Sequence, residues 1–113
     1  MKFEWDEEKR KTNIEKHRID FVDAIGIFND YVWTFESTNR EYGEKRFVSI
    51  GVMYDIVEIA LVYTPREGGR RIISARRARR DEREKYYEER RRFTENQRSS
   101  GDDGSGGIAG NGG

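Results

Sequence analysis

One histidine, a set of arginines and scattered carboxylates are the side chains in this sequence that could do chemistry. The chain has no cysteine, no His-Glu-x-x-His pair, no Gly-x-Gly-x-x-Gly or Gly-Lys-Ser/Thr phosphate loop and no Gly-x-Ser-x-Gly elbow. We therefore expect neither a metal site nor a cofactor. The remaining groups suit cleavage of RNA, because the 2′-hydroxyl of RNA is its own nucleophile and the protein need only move protons and stabilise the charged phosphorane. DNA lacks that hydroxyl and would be left intact.

His17 is the candidate for proton transfer, since imidazole is the side-chain group that titrates near neutral pH. It could instead interact with carbonyl groups at a helix end, where cations are favoured. Arg46 and Arg76 could bind phosphate or could pair with acidic residues such as Glu44. Glu44 could orient an arginine or act as a base, or be an ordinary exposed carboxylate at a strand end. Trp5 is a core residue or, less commonly, a platform for base stacking.

The stretch Arg70–Tyr87 must position most of the arginines. Ile72 and Ile73 predict a short buried strand, followed by a long charged helix from about Arg79 to Phe93. A rigid strand would hold a guanidinium in one place, which suits bidentate phosphate recognition. Alternation along a strand predicts two faces: Ile72, Ser74 and Arg76 on one, and Arg71, Ile73 and Ala75 on the other.

The N-terminal part predicts a strand at Lys2–Trp5 and a helix capped by Asp6 that runs to about His17. Lys9, Asn13 and His17 recur every four residues and form one polar row, with Lys16 beside it. That row is either solvated or lines a site. A second helix begins after Asp20, with an apolar stripe of Phe21, Ala24, Ile25 and Phe28.

Three further strands are predicted, at Val32–Glu36, Glu44–Tyr54 and Ile56–Tyr63. The last is the most apolar and should be central. Short connections between consecutive strands predict an antiparallel meander of about four to five strands, with the two early helices packed across it. The fold class is therefore α+β.

With 113 residues the chain has room for one domain, which we place at residues 1–98. Residues 99–113, SSGDDGSGGIAGNGG, are expected to be a flexible tail. The zero net charge hides an asymmetry, because residues 1–69 carry 10 Lys/Arg and 14 Asp/Glu whereas residues 70–98 carry 12 and 6. The basic segment favours an anionic partner, or else forms a solvated helix face with internal ion pairs. The absence of cysteine fits a cytoplasmic protein, and the sequence shows neither a signal peptide nor a membrane-spanning run.

Two groups of motifs resemble those of a known family. The first is Phe3-x-Trp5-Asp6-x-x-Lys9, Asn13-x-x-Lys16-His17, Phe21-x-x-Ala24 and Phe28. The second is Gly43-Glu44-x-Arg46, Gly51, Tyr63-Thr64 and Arg71-Ile72-Ile73-Ser74-Ala75-Arg76-x-Ala78 with Glu82 and Tyr86. Together they resemble the signature of BrnT-type toxins over residues 2–87. The glycine that usually follows Lys-His in this motif is Arg18 here, which must adopt the helix-ending conformation at some strain or end the helix differently.

The resemblance implies a RelE/ParE-like fold, with helices on one side of an antiparallel sheet. It implies a ribonuclease toxin of a type II toxin–antitoxin pair, which cuts RNA and inhibits translation. The partner would be a BrnA-like antitoxin with a ribbon-helix-helix DNA-binding domain, through which alone the pair would contact operator DNA. By this resemblance we assign catalysis to His17, Arg46, Arg76 and Glu44, and substrate binding to Lys9, Lys16, Arg71 and Arg79. We expect the guanidinium groups to lie close to the imidazole.

Two other functions fit the same sequence. ParE-like relatives of the superfamily poison a protein target such as a topoisomerase, so growth arrest with intact RNA would favour that activity. The chain could also be a non-toxic member that binds the antitoxin and tunes repression. The basic last third would serve either RNA or an acidic antitoxin segment.

Overall fold

The computed structural model describes residues 2–38 and 43–104, with side chains to Gln97. These residues form five strands and three helices, the second of which continues as a 3₁₀ turn. In chain order they are β1 Lys2–Glu4, α1 Glu7–His17, α2 Phe21–Ala24 with the turn Ile25–Asn29, β2 Trp33–Glu36, β3 Phe47–Met53, β4 Val57–Arg66, β5 Gly69–Arg77 and α3 Arg80–Gly104. The α+β class is confirmed. Among the helices of the described residues, none is both long and apolar enough to cross a membrane.

The strands form one sheet in the order β1-β5-β4-β3-β2. Consecutive strands from β2 to β5 are antiparallel, as the short connections predict. The expectation of a wholly antiparallel sheet is wrong at one edge, where β1 pairs parallel to β5 from Lys2–Gly69 to Glu4–Arg71. No short connection joins these two strands, so the rule that orients a hairpin does not apply to them.

Strand β4 is the central strand, as its apolar sequence predicts, and both faces of the sheet are covered. Ile59 and Leu61 of β4 join a core cluster with α2, whereas Ala60, between them, joins a second cluster with Tyr86 of α3. Alternate β4 side chains face opposite sides. Helix α3 therefore packs on the face of the sheet opposite to α1 and α2.

Helix α3 is longer than predicted. It extends to Gly104, not to about Phe93, and so includes the first six residues of the expected tail. Ion pairs between successive turns, such as Lys85–Glu89 and Glu88–Arg92, support this charged helix. The remainder of the predicted tail, residues 105–113, lies outside the described residues.

The ends of the first two helices follow the sequence signals. The side chain of Asp6 accepts a hydrogen bond from the Glu8 N–H, and that of Asp20 from the Val22 N–H. Arg18 ends α1 in the left-handed conformation, with φ of 61°, and its N–H donates to the Ile14 carbonyl. A residue with a Cβ thus occupies a position that favours glycine.

A bulge in β5 overturns the predicted alternation. Val62 pairs with Ser74, but the next β4 residue, Tyr63, pairs with Ile72, so Ile73 is an extra residue in β5. Ile72 and Ala75 consequently share the core beside α1 and α2, although strict alternation puts them on opposite faces. Arg76 follows Ala75 and points to the other face, against α3.

Candidate functional site

A groove of about 300 Å³ lies between α1 and β5. Three predicted site residues on α1, namely Lys9, Lys16 and His17, line it, together with Glu8, Thr12, Asn13, Ile73 and Ser74. Lys9 and His17 come from the predicted polar row, and Lys16 lies next to them. All three side chains are exposed. The groove therefore presents two ammonium groups and one imidazole along a single helix face.

The middle member of the polar row, Asn13, anchors this helix on the sheet. Its amide nitrogen donates to the carbonyl oxygens of Ile19 and Ala75, both at 2.9 Å, and its amide oxygen accepts from the Ala75 N–H at 3.0 Å. The side chain is only 5% exposed. Asn13 thus satisfies both outward-facing backbone groups of Ala75 in β5. Its role is structural, and it fixes where Lys9 and His17 stand.

Arg76 and Arg79 converge on Glu82 of α3. The Arg76 guanidinium makes two hydrogen bonds of 2.9 Å to the Glu82 carboxylate, which also accepts from the Arg79 N–H at 2.8 Å. Glu82 is 6% exposed. The hydrogen bonds from Arg76 hold the pKa of Glu82 below its usual value although burial opposes this, and they raise the pKa of Arg76. Arg76 therefore pairs with a carboxylate, which is one of the two roles predicted for it.

Arg71 and Glu44 lie toward the β1 end of the sheet. Arg71 donates to the Glu4 carboxylate at 3.0 Å, and Glu44 pairs with Arg66 at 3.6 Å. Arg46 immediately precedes β3, is half-buried, and its carbonyl accepts from the Ser37 N–H at 2.8 Å.

The structure thus brings together only part of the predicted site. His17 shares its groove with Lys9 and Lys16, and neither Arg46 nor Arg76 lines that groove. Arg76 and Arg79 form a separate cluster around Glu82. The sequence placed Asn13 in the polar row, but nothing in the sequence indicated whether its side chain anchors the helix or contacts a ligand.

A second cavity, of about 490 Å³, lies between the 3₁₀ turn, the β3–β4 turn and α3. Its lining includes Asp23, Asp30, Asp55 and Arg90, so carboxylates outnumber cations. Such a lining repels a polyanion, which leaves the α1 groove as the better candidate for nucleic acid. Within the described residues no three His, Asp or Glu side chains gather as potential metal ligands.

A family model described as "Ribonuclease toxin, BrnT, of type II toxin-antitoxin system" matches residues 5–82, from Trp5 through the whole of α1 and β2–β5 to Glu82. The chain belongs to the BrnT family. This BrnT-family chain is also similar to the Brucella abortus ribonuclease toxin BrnT, whose crystal structure was determined at 1.1 Å. The two share 34% sequence identity and a TM-score of 0.58, over 71% of this chain and 99% of that one. No curated protein matches the chain.

Membership places the chain among ribonuclease toxins of type II toxin–antitoxin systems, which implies an antitoxin partner. The matched segment contains the α1 groove and the Arg76–Glu82 pair. The part of α3 after Glu82 lies beyond the match, and its residues after Tyr87 also lie outside the sequence motifs.

Proposed function

We propose that this BrnT-family chain is a cytoplasmic endoribonuclease toxin that cuts RNA without a metal ion and thereby inhibits translation. The observation that supports this most directly is the α1 groove, which joins the only histidine to two lysines on a fixed helix. The proposal includes a RelE/ParE-like toxin fold. It also includes a BrnA-like antitoxin with a ribbon-helix-helix domain, which neutralises the toxin and represses the operon of the pair.

The chemistry follows from the groups in the groove. The Lys9 and Lys16 ammonium groups attract the phosphodiester and offset charge as it develops on the phosphorane oxygens. The His17 imidazole takes the proton from the 2′-hydroxyl or returns one to the departing 5′-oxygen. The products are a 2′,3′-cyclic phosphate and a 5′-hydroxyl. Asn13 contributes by holding the helix that carries all three side chains.

The arginines are proposed to bind phosphate groups of the RNA, although they do not line the α1 groove. Arg46 and Arg76 stay predicted phosphate ligands, with Glu44 as a candidate to orient an arginine and Arg71 and Arg79 as further contacts to the RNA backbone. In the structure Arg76 and Arg79 share Glu82, so a phosphate bound there would have to replace part of that pairing.

The engagement of Arg76 by Glu82 also favours a second candidate function. A family member whose arginine is already neutralised would bind the antitoxin and tune repression without cutting RNA. The two functions differ in what the isolated chain does to RNA.

The test is cleavage of synthetic RNA by the chain after its separation from the antitoxin, in excess EDTA, with DNA of the same sequence as control. We expect RNA cleavage with 2′,3′-cyclic phosphate ends and no cut in DNA. His17→Ala should reduce the rate by roughly 10²–10⁴-fold, the usual contribution of a general acid or base. Lys11→Ala is the matched control, because Lys11 lies exposed on α1 and does not line the groove. Full activity of His17→Ala, or 3′-hydroxyl ends, would contradict this mechanism, and intact RNA would favour the second candidate.

A further inference from the structure

A third hollow, which we call the aromatic recess, opens on the sheet face that carries α1 and α2. It has a volume of about 550 Å³, and its lining includes Thr34, Phe47, Tyr63, Pro65 and Arg70. Two aromatic rings and a proline make its surface largely apolar, with a guanidinium at one wall. Tyr63 belongs to the sequence motifs, but none of the residues that line this recess lines the α1 groove. Its volume is within the range of pockets that bind small planar ligands.

The sheet holds the floor of the recess rigid. Phe47 and Tyr63 are directly opposed on β3 and β4, with ring centres 6.2 Å apart and an angle of 31° between the planes. The Ser49 hydroxyl is hydrogen bonded to that of Tyr63 at 2.9 Å and to that of Thr34 at 2.7 Å. Ser49 and Tyr63 are 0% and 5% exposed. The Tyr63 ring is therefore fixed by a chain of three hydroxyls across three strands.

Arg70 supplies charge at the wall of the recess. Its guanidinium carbon lies 4.1 Å from the centre of the Phe28 ring and 5.2 Å from that of Tyr63. Stacking on aromatic rings fixes the plane of the guanidinium. Ring faces together with an arginine are the combination that proteins use for unstacked bases of single-stranded RNA.

We propose that the aromatic recess binds one unpaired nucleobase of the RNA, stacked on the half-buried Phe47 ring with the buried Tyr63 ring behind it, and with the adjoining phosphate facing Arg70. The inference rests on the proposed ribonuclease function. Arg70 is three residues from Ile73, which lines the α1 groove, and three residues of strand span roughly 10 Å. The bound base therefore belongs to a nucleotide near the scissile one, and the recess selects for single-stranded RNA at that position.

Fluorescence anisotropy of the full-length chain with a labelled 2′-O-methyl oligonucleotide measures this binding without cleavage. Phe47→Leu keeps an apolar side chain but removes the ring, and we expect about tenfold weaker binding, the effect of losing one stacked base. Phe35→Leu is the matched control, because Phe35 packs in the cluster on the opposite face. Thr34→Trp, which fills the recess, should weaken binding similarly, whereas Thr38→Trp outside it should not.

Abasic oligonucleotides sharpen the test. At the one position whose base occupies the recess, removing that base should weaken oligonucleotide binding to the wild type about tenfold. It should weaken binding to Phe47→Leu hardly any further, since the same contact is lost only once. Equal effects of Phe47→Leu and Phe35→Leu, or additive effects at every position, would overturn the proposal. So would loss of antitoxin binding by Thr34→Trp with oligonucleotide affinity unchanged, which would assign the recess to the antitoxin. Because the oligonucleotide cannot be cut, failure of the subsite is separate from failure of the ribonuclease activity.

Discussion

Replacing Asn13 by aspartate would test how the helix that carries His17 is fixed on the sheet. The asparagine donates two hydrogen bonds, to the Ile19 and Ala75 carbonyl oxygens, and accepts one from the Ala75 N–H. Aspartate has nearly the same shape and can still accept from the N–H. Its ionised carboxylate cannot donate, so it would turn a negative oxygen toward two carbonyl oxygens.

The cost can be worked from these contacts. Two lost hydrogen bonds contribute about 1 kcal/mol each, and a buried group without its partner adds about 1–3 kcal/mol. With the side chain only 5% exposed, water cannot replace the lost partners. We expect Asn13→Asp to lower the free energy of unfolding by about 3–5 kcal/mol at pH 7, out of a typical total of about 5–15 kcal/mol. Asn13→Ala buries no charge but loses all three hydrogen bonds and leaves the Ala75 N–H without a partner, so it should cost a similar amount, about 3–5 kcal/mol.

The stability of the Asn13→Asp variant relative to wild type should also fall as the pH rises. Burial beside carbonyl oxygens raises the pKa of the new carboxyl above its unfolded value of about 3.9. The loss in free energy of unfolding relative to wild type is therefore small below about pH 4 and grows as the pH rises through that value. It is complete above the pKa of the carboxyl in the folded protein. Protonation also restores one donor.

Urea unfolding, followed by tryptophan fluorescence at pH 4 and pH 7, measures both effects. Asn96→Asp makes the same chemical change at an exposed position of α3 and should leave stability nearly unchanged. A cost below about 1 kcal/mol at pH 7, or a deficit for Asn13→Asp that stays constant between the two pH values, would refute this account of the anchor.

Three further changes follow from the structure. Arg18→Gly should raise the midpoint of thermal unfolding, because it removes a strained left-handed residue worth about 0.5–1 kcal/mol after the entropy of glycine is counted; a lower midpoint would contradict this. Arg76 lowers the pKa of Glu82, so this pair stabilises the fold above the ordinary glutamate pKa of about 4.3 and is lost as the pH falls through the lower folded pKa. Glu82→Gln should remove that acid transition and cost about 2–4 kcal/mol at neutral pH in denaturant titrations, and an unchanged acid profile would exclude the pair as its cause. The Tyr87 hydroxyl donates to Glu58 at 2.6 Å, which raises the pKa of Tyr87 to about 12; in ultraviolet titration Glu58→Gln should return it toward about 10, and no change would assign the shift to burial.

The features that could be predicted from the sequence are those set by local chemistry. Asp6 and Asp20 are N-caps because their carboxylates accept from N–H groups two residues away. Helical spacing alone places Lys9 and His17 on one face. The short connections between the strands from β2 to β5 predict the antiparallel pairing that the structure shows.

The features that could not be predicted depend on distant parts of the chain. The bulge at Ile73 carries no glycine to announce it, and it reverses which residues of β5 accompany Ile72 in the core. Asn13 differs from a solvated helix residue only because Ala75 lies opposite it. Arg76 was predicted to bind phosphate or a carboxylate, and the sequence does not show that the chain between β5 and α3 brings Glu82 within reach.

The contact of Asn13 with Ala75 has a consequence for synthesis of the protein, because the two residues are 62 positions apart. During translation α1 leaves the ribosome first and has no surface to rest on until β5 has followed it out. The two walls of the groove therefore meet only when almost the entire domain has been made. A nascent chain halted before Gly69 would carry His17 on an undocked segment, so the α1 groove forms only when the polypeptide is nearly complete.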